Sequence, residues 1–336
     1  MDTLTHTVLG ACAGELLGGK KLGKKAMLWG AIANNLPDID VITSWWMNQP
    51  DSLLAHRGFT HSIVFAVSAT FIFGWLLRKT HPSSAFSRNE WTRLVGINIF
   101  LHILIDAFTS YGTGWFEPFS HLRISFNLLF VADPFFTISL VIGAILLLVL
   151  RTNSKIRTGV ARSAVLISFI YFAYALYHKY EVNEIVSASL EKRNLSQADF
   201  MATPAPLNNF LWYVVAPADS GFMIGYYSVF DKTKDIDFNF MPSNKSLLST
   251  LKEDEDVNKL IRFSQGFYII EQINDTLIFD DLRFGQVGGW TNGNAPFVFQ
   301  YKLAKNYNND IVIQKGRMKA SGGKALREMI ERIRGK

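Results

Sequence analysis

A single cysteine in 336 residues, Cys12, excludes a disulfide framework and a thiolate metal cluster. Any metal held by this chain must therefore be held by nitrogen and oxygen. There is no glycine-rich nucleotide-binding loop and no convincing Ser-His-Asp spacing. The formal charge of +6 is not gathered into a nucleic-acid surface. Residues Met1 to His6 lack a basic n-region and a small-residue cleavage site, which predicts a retained N-terminus and not a signal peptide. Charge is also scarce in the first 180 positions, and the run from Ile63 to Leu77 has none.

What is abundant is apolar and aromatic. The chain has 27 Phe, 8 Trp and a mean hydropathy of +0.14, with the apolar residues crowded into the first half. This predicts a membrane-embedded helical domain over 1–179 and a soluble domain over 180–336. Apolar runs near 4–18, 26–36, 62–77, 94–109, 134–150 and 160–177 give six membrane helices, some shorter than the ~20 residues of a perpendicular crossing. Gly10, Gly14 and Gly18 form two overlapping G-x-x-x-G spacings, which mark the first as an interior helix. After a helical connector at 181–200, the runs Phe210–Val215, Gly221–Phe230, Leu260–Ile273, Leu277–Phe284 and Phe297–Leu303 read as an antiparallel sheet. The fold class expected is an α-helical membrane domain followed by a smaller extracytoplasmic α+β domain. Within that domain, Glu253–Asp256 reads as a solvated turn and Asp280–Gly285 as a structural turn or salt bridge. The tail from Lys315 reads as a basic helix that either lies on anionic headgroups or docks.

Charge sets an orientation. Twelve Lys and Arg fall in the connections around 20–25, 78–93 and 151–162, against two, Arg57 and Arg123, in the others. The positive-inside rule puts the rich connections in the cytoplasm. His6, Asp38, Asp40, His56, His61 and Asp106 then all lie toward the extracytoplasmic side. Asn98, His102 and Asp106 recur every four residues as one polar stripe, with His102 about 6 Å deeper than Asp106. Ionisable groups beside hydrocarbon are costly to desolvate and call for a ligand. His6 alone suits a cap, and Asp38 after Pro37 suits a turn. Four His and three Asp at one depth together predict a metal site, with Zn²⁺ the best match and Mn²⁺ or Fe²⁺ open. A proton relay or interhelical hydrogen bonding is the rival reading of His102 with Asp106.

Thr3-Leu4-Thr5-His6, Asn35-Leu36-Pro37-Asp38-Ile39-Asp40, His56-Arg57-Gly58-Phe59-Thr60-His61-Ser62 and His102-Ile103-Leu104-Ile105-Asp106 with Ser110-Tyr111-Gly112 resemble the motif series of the YdjM-type membrane-bound metal-dependent hydrolases. The resemblance covers about 1–150 and implies a multi-pass protein of a bacterial inner membrane. The motif order is also similar to that of the zinc-dependent phospholipase C and P1 nuclease pattern. That likeness implies His6, Asp38 or Asp40, His61, His102 and Asp106 as ligands of one or two ions. This chain departs from it in having no N-terminal Trp and no second His-x-x-x-Asp.

The expected function is hydrolysis of a phosphoester in a lipid or lipid-linked substrate at the outer membrane edge. Arg57 is expected to face the substrate, His56 to donate a proton or support a ligand, and Asp40 to serve as a general base. The alternative is a non-enzymatic metal-binding membrane protein, a transporter, scaffold or regulator. No nucleic-acid partner is expected.

Overall fold

The computed structural model describes residues 1–195, 199–303, 312–314 and 322–335. Two compact units divide it. The first comprises Met1–Ile42, Ala55–Leu176 and Pro206–Asn208, and the second Thr43–Leu54, Tyr177–Ala205 and Asn209–Lys336.

Six helices stand where the sequence places apolar runs: α1 (Thr3–Leu22), α2 (Lys24–Asn34), α4 (Ile63–Thr80), α5 (Arg88–Ala107), α6 (Pro134–Val149) and α7 (Arg157–Glu191). A short α3 (Gln49–Ala55) lies between α2 and α4. By length and composition α4 and α7 can cross a membrane, while α6 is apolar but has 16 residues. The other three are less apolar because they turn polar groups inward, among them Glu15 on α1, Asn34 on α2 and Asn98, His102 and Asp106 on α5, all buried. The connector expected at 181–200 is mostly the continuation of α7, since no proline or glycine falls between Glu181 and Glu191.

The inner packing follows from small residues. A Cβ on Gly14 would collide with the Ala26 carbonyl, and one on Gly30 with that of Gly10. The G-x-x-x-G face of α1 is thus the contact with α2. Glu15, buried one residue from Gly14, meets Arg157 through two bonds of 2.9 and 2.6 Å. The Arg157 guanidinium also donates to the Leu147 and Leu150 carbonyls at the end of α6. Arg157, counted with the loop cations in the sequence, is therefore an interior residue. Hydrogen bonds tie the site's end of α5 to the chain that follows it, where the Phe126, Leu128 and Leu129 amides donate to the Ala107 and Phe108 carbonyls.

The second unit carries two four-stranded antiparallel sheets. One has the order β1 (Met201–Pro204), β2 (Leu211–Ala218), β3 (Gly221–Ser228), β4 (Phe238–Pro242). The other has β5 (Tyr268–Ile273), β6 (Thr276–Gln286), β7 (Phe297–Leu303), β8 (Val312–Gln314). The strand expected over Leu260–Ile273 is divided. Its first part belongs to helix α8 (Glu255–Phe263), which buries Val257, Leu260 and Phe263 at helical spacing. The acidic run is the start of that helix: Asp254 accepts from the Asp256 and Val257 amides, and Glu255 and Asp256 sit at the positive end of the dipole. Asp281 and Arg283 form a buried bidentate ion pair within β6, at 3.0 and 2.6 Å. Helix α9 (Gly322–Ile333) is docked by buried Met329 and by Arg332, which pairs with Asp231 at 2.7 Å. The first part of the basic tail, 315–321, lies outside the described residues.

Candidate metal centre

The chain reaches the site through short irregular segments that leave helix ends. Pro37 stops α2, and the 3-10 stretch Pro37–Trp45 begins with Asp38 and Asp40 in its first turn. Arg57 and Gly58 lead into a single 3-10 turn, Phe59–His61, after which Ser62 caps α4 through the Phe65 amide. His102 and Asp106 face inward one turn apart near the end of α5.

Four ligand atoms converge. His61 Nε2 lies 3.0 Å from His102 Nε2, 3.3 Å from Asp106 Oδ2 and 3.6 Å from Asp38 Oδ1. His102 Nε2 lies 3.5 Å from Asp38 Oδ1 and 3.6 Å from Asp106 Oδ2. A regular tetrahedron of nitrogen and oxygen ligands at ~2.0–2.1 Å from zinc has edges of about 3.3–3.4 Å, so these separations fit one divalent ion. Asp106 Oδ2 is buried and accepts no hydrogen bond. Such an orphaned carboxylate oxygen, facing two imidazole nitrogens too close for both to carry protons, is what a cation would satisfy. His61, His102 and Asp106 are fully buried, and Asp38, 18% exposed, is the member nearest open space.

Around this group stands a second set of contacts. Asp40 Oδ2 accepts from the Arg57 amide at 2.9 Å and the Thr60 hydroxyl at 2.7 Å, and lies 3.4 Å from His61 Nδ1. Its Oδ1 is 3.0 Å from His56 Nδ1. Asp40 is thus placed to orient His61 from behind, as carboxylates do for metal-bound imidazoles. It also joins Asp38 and His56 in an overlapping cluster that could hold a cation. His6 stacks on His102 at 3.8 Å between ring centroids. Its Nε2 lies 3.0 Å from Asp106 Oδ1 and its Nδ1 3.2 Å from Asn34 Oδ1. It is therefore against the cluster, on the oxygen of Asp106 that points away from the other three donors. The Met1 amino group also contacts that oxygen.

Arg57, expected to face a substrate, is turned inward. Its guanidinium donates to the Thr109 hydroxyl at 2.7 Å and the Met1 carbonyl at 3.3 Å. Nε lies 3.0 Å from Asp106 Oδ2 without the alignment of a hydrogen bond. Tyr111 lies under the guanidinium at 5.1 Å and edges onto His56 at 5.3 Å. His56 is the more open imidazole, 28% exposed.

The charges explain the titration of the groups in the irregular segments. Burial alone would lower the His61 pKa, but Asp106, Asp38 and Asp40 outweigh it and raise it to about 10. Burial alone would raise Asp38 and Asp40. Contacts with His102 and His61 hold the first well below the usual carboxylate range, and contacts with His56 and His61 do the same for the second. The cluster carries an excess of carboxylate that draws in a positive charge.

Sequence reasoning brought seven of these side chains to one level. It missed Asn34, Thr60, Thr109 and Tyr111 as supports. All four lie in or beside the quoted motifs, but a lone threonine carries no signal until its partner is placed.

A family model described as YdjM inner membrane protein matches residues 1–182. The uncharacterized protein YfhP of Bacillus subtilis is 32% identical over 147 residues, 41% of this chain and 44% of that protein. The inner membrane protein YbcI of Escherichia coli is 30% identical over 122 residues, 36% of this chain and 69% of that protein. The chain thus spans less than half the length of the first of these relatives. No solved structure matches.

Proposed function

The chain belongs to the YdjM inner membrane protein family, and on that premise we propose that it is a membrane-bound, metal-dependent hydrolase acting on a phosphoester of a lipid or lipid-linked substrate. The observation that carries the metal is the convergence of Asp38, His61, His102 and Asp106 on one point, with Asp106 Oδ2 left without a hydrogen bond. Zinc suits two imidazoles and two carboxylates, with manganese and iron the next candidates. A divalent ion there would supply Lewis-acid polarisation of a phosphoryl oxygen and acidify water.

The residues of the chain supply the rest. Asp40 holds His61 by Nδ1 and takes the Nδ1 side of His56, so the outer nitrogen of His56 is placed to give or take a proton at the open edge. Arg57, buried against Asp106, orients that carboxylate. The half-open position of Asp38 marks the side from which a substrate would arrive.

The proposed topology is multi-pass, with α1, α2, α5 and α6 packed between the two membrane-length helices and the site at the extracytoplasmic end. Of the twelve cations assigned to the cytoplasmic connections, ten are exposed in the structure, Arg78 is half-buried and Arg157 is paired inside. The two on the site's side, Arg57 and Arg123, are both buried. The C-terminal unit is extracytoplasmic in this reading.

Metal analysis of detergent-purified protein tests the centre. Bound zinc near one per chain, lost in His61→Ala and His102→Ala, is expected; unchanged metal content in both variants overturns the reading. Release of phosphate or a phosphorylated headgroup from phospholipid mixed micelles, abolished with the metal, separates the hydrolase from a metal-binding scaffold or transporter.

A further inference from the structure

Three segments carry or cover the site: the start of the 3-10 stretch (37–42), the turn before α4 (56–62) and the α5–α6 connection (108–133). They are laced into one cluster. Thr60 donates to Asp40, the Gly114 amide to the Arg57 carbonyl at 2.8 Å, the Ile63 amide to the Trp115 carbonyl at 3.0 Å, and Arg123 to the His56 carbonyl at 3.0 Å. A loop cluster facing water should expose charge, and this one exposes hydrocarbon. Ile39, Val41, Phe59, Phe116, Phe119 and Leu122 are all exposed, Phe119 to 85%. Most of the ionic groups point the other way, with Asp40, Arg57, Arg123 and Asp133 buried, while the exposed His121 ring is paired with the Glu117 carboxylate at 2.8 Å.

This surface continues that of α4. The helix exposes Ile63, Val67, Phe71 and Ile72, and the Phe59 ring meets Phe65 at 6.0 Å. With 18 residues, α4 is about 27 Å long, short of the ~30 Å of a bilayer's hydrocarbon core. The apolar residues of the loop cluster extend it at the site's end, whereas Arg78 and Lys79 close the other.

We infer that this loop cluster is a lipid-contacting surface, seated in the headgroup layer with Phe59, Phe116, Phe119 and Leu122 in the bilayer. The partner of this surface is membrane lipid. Phe and Leu at an exposed turn gain by leaving water, and no Lys or Arg side chain on these three segments reaches out to oppose immersion. A lipid headgroup then reaches Asp38 and His56 without leaving the bilayer. The inference rests on the membrane reading of the family and needs no hydrolysis.

The test is depth. Nitroxides on Phe119→Cys and Leu122→Cys, with Asn153→Cys in the exposed connection before α7 as reference, are placed in a full-length Cys12→Ala chain. The chain is reconstituted into vesicles of phosphatidylethanolamine and phosphatidylglycerol. Power saturation then compares oxygen with a water-soluble nickel chelate. Oxygen-dominated relaxation at 119 and 122, with chelate-dominated relaxation at 153, is expected. Chelate-dominated relaxation at both 119 and 122 overturns the inference, and so does low collision with both reagents, which would mean that protein covers the surface. Either result leaves metal content unaffected, so failure here is distinct from failure of the hydrolase reading.

Discussion

Arg57 is held at φ +59°, a left-handed backbone that costs an L-residue about 1–2 kcal/mol. Glycine would remove that cost, so the guanidinium must give more than it. It lies against the Asp106 carboxylate and spends its other donors on Thr109 and Met1. Removing one partner of a buried ion pair costs about 3–5 kcal/mol. A divalent ion beside Asp106 would supply much of the lost positive charge. Arg57→Ala should therefore destabilise metal-stripped protein by several kcal/mol and zinc-loaded protein by clearly less, as read from thermal unfolding in detergent with and without chelator. Equal losses in both states would show that Arg57 serves only the fold. Asp40 makes a second residue-scale case. With His61 Nδ1 and the Arg57 amide both on its Oδ2, Asp40→Asn should weaken zinc by about 10–100-fold without abolishing it, measured by competition with a chromophoric chelator. The corresponding loss in His61→Ala should be larger.

At the scale of elements, the buried Glu15–Arg157 pair joins α1 to the start of α7 and the end of α6. Glu15→Gln, which leaves Arg157 charged and half-satisfied, should cost about 3–5 kcal/mol, while the double replacement Glu15→Leu with Arg157→Met should cost much less, because two desolvated charges leave together. Gly14→Val, which drives a side chain into the Ala26 carbonyl, should destabilise by more than the ~1–3 kcal/mol of ordinary overpacking, since backbone cannot yield. The glycine contact was legible in the sequence because spacing alone reveals it. The ion pair was not: Arg157 stands among loop cations in the chain, and only its placement opposite Glu15 distinguishes it. The same limit hid α8. Leu260 to Phe263 is too short an apolar run to separate helix from strand, while Asp254 as a cap could be recognised only once the helix was placed. Strands β1 and β4 end on Pro204 and Pro242, residues that argue against a central strand and suit edges. At the site, imidazoles and carboxylates among hydrocarbon were conspicuous in the sequence. The inward turn of Arg57 depends on Asp106, far along the chain, and could not be read there.

For the whole molecule, the proposed orientation rests on the unequal distribution of cations. The exposed Lys20, Lys21, Lys24, Lys25, Lys79, Arg88, Arg93, Arg151, Lys155 and Arg162 all lie at the connections opposite the site. On the site's side Arg57 and Arg123 are committed to internal acceptors, so the effective asymmetry is greater than a count of residues suggests. Only charge near the membrane surface and free to hold a segment back should matter, which makes Arg157 irrelevant to orientation despite its place in the sequence. In a Cys12→Ala chain, Asp275→Cys in the exposed β5–β6 turn should react with an impermeant maleimide in intact spheroplasts, and Asn153→Cys only after permeabilisation. Labelling of position 275 solely from the cytoplasmic side would invert the molecule and place the His/Asp cluster inside the cell. Replacing Lys20, Lys21, Lys24 and Lys25 by glutamine should begin to mix the two orientations, whereas Arg157→Gln should leave the labelling pattern unchanged in whatever protein folds. The two variants together separate a charge that orients the chain from one that holds it together.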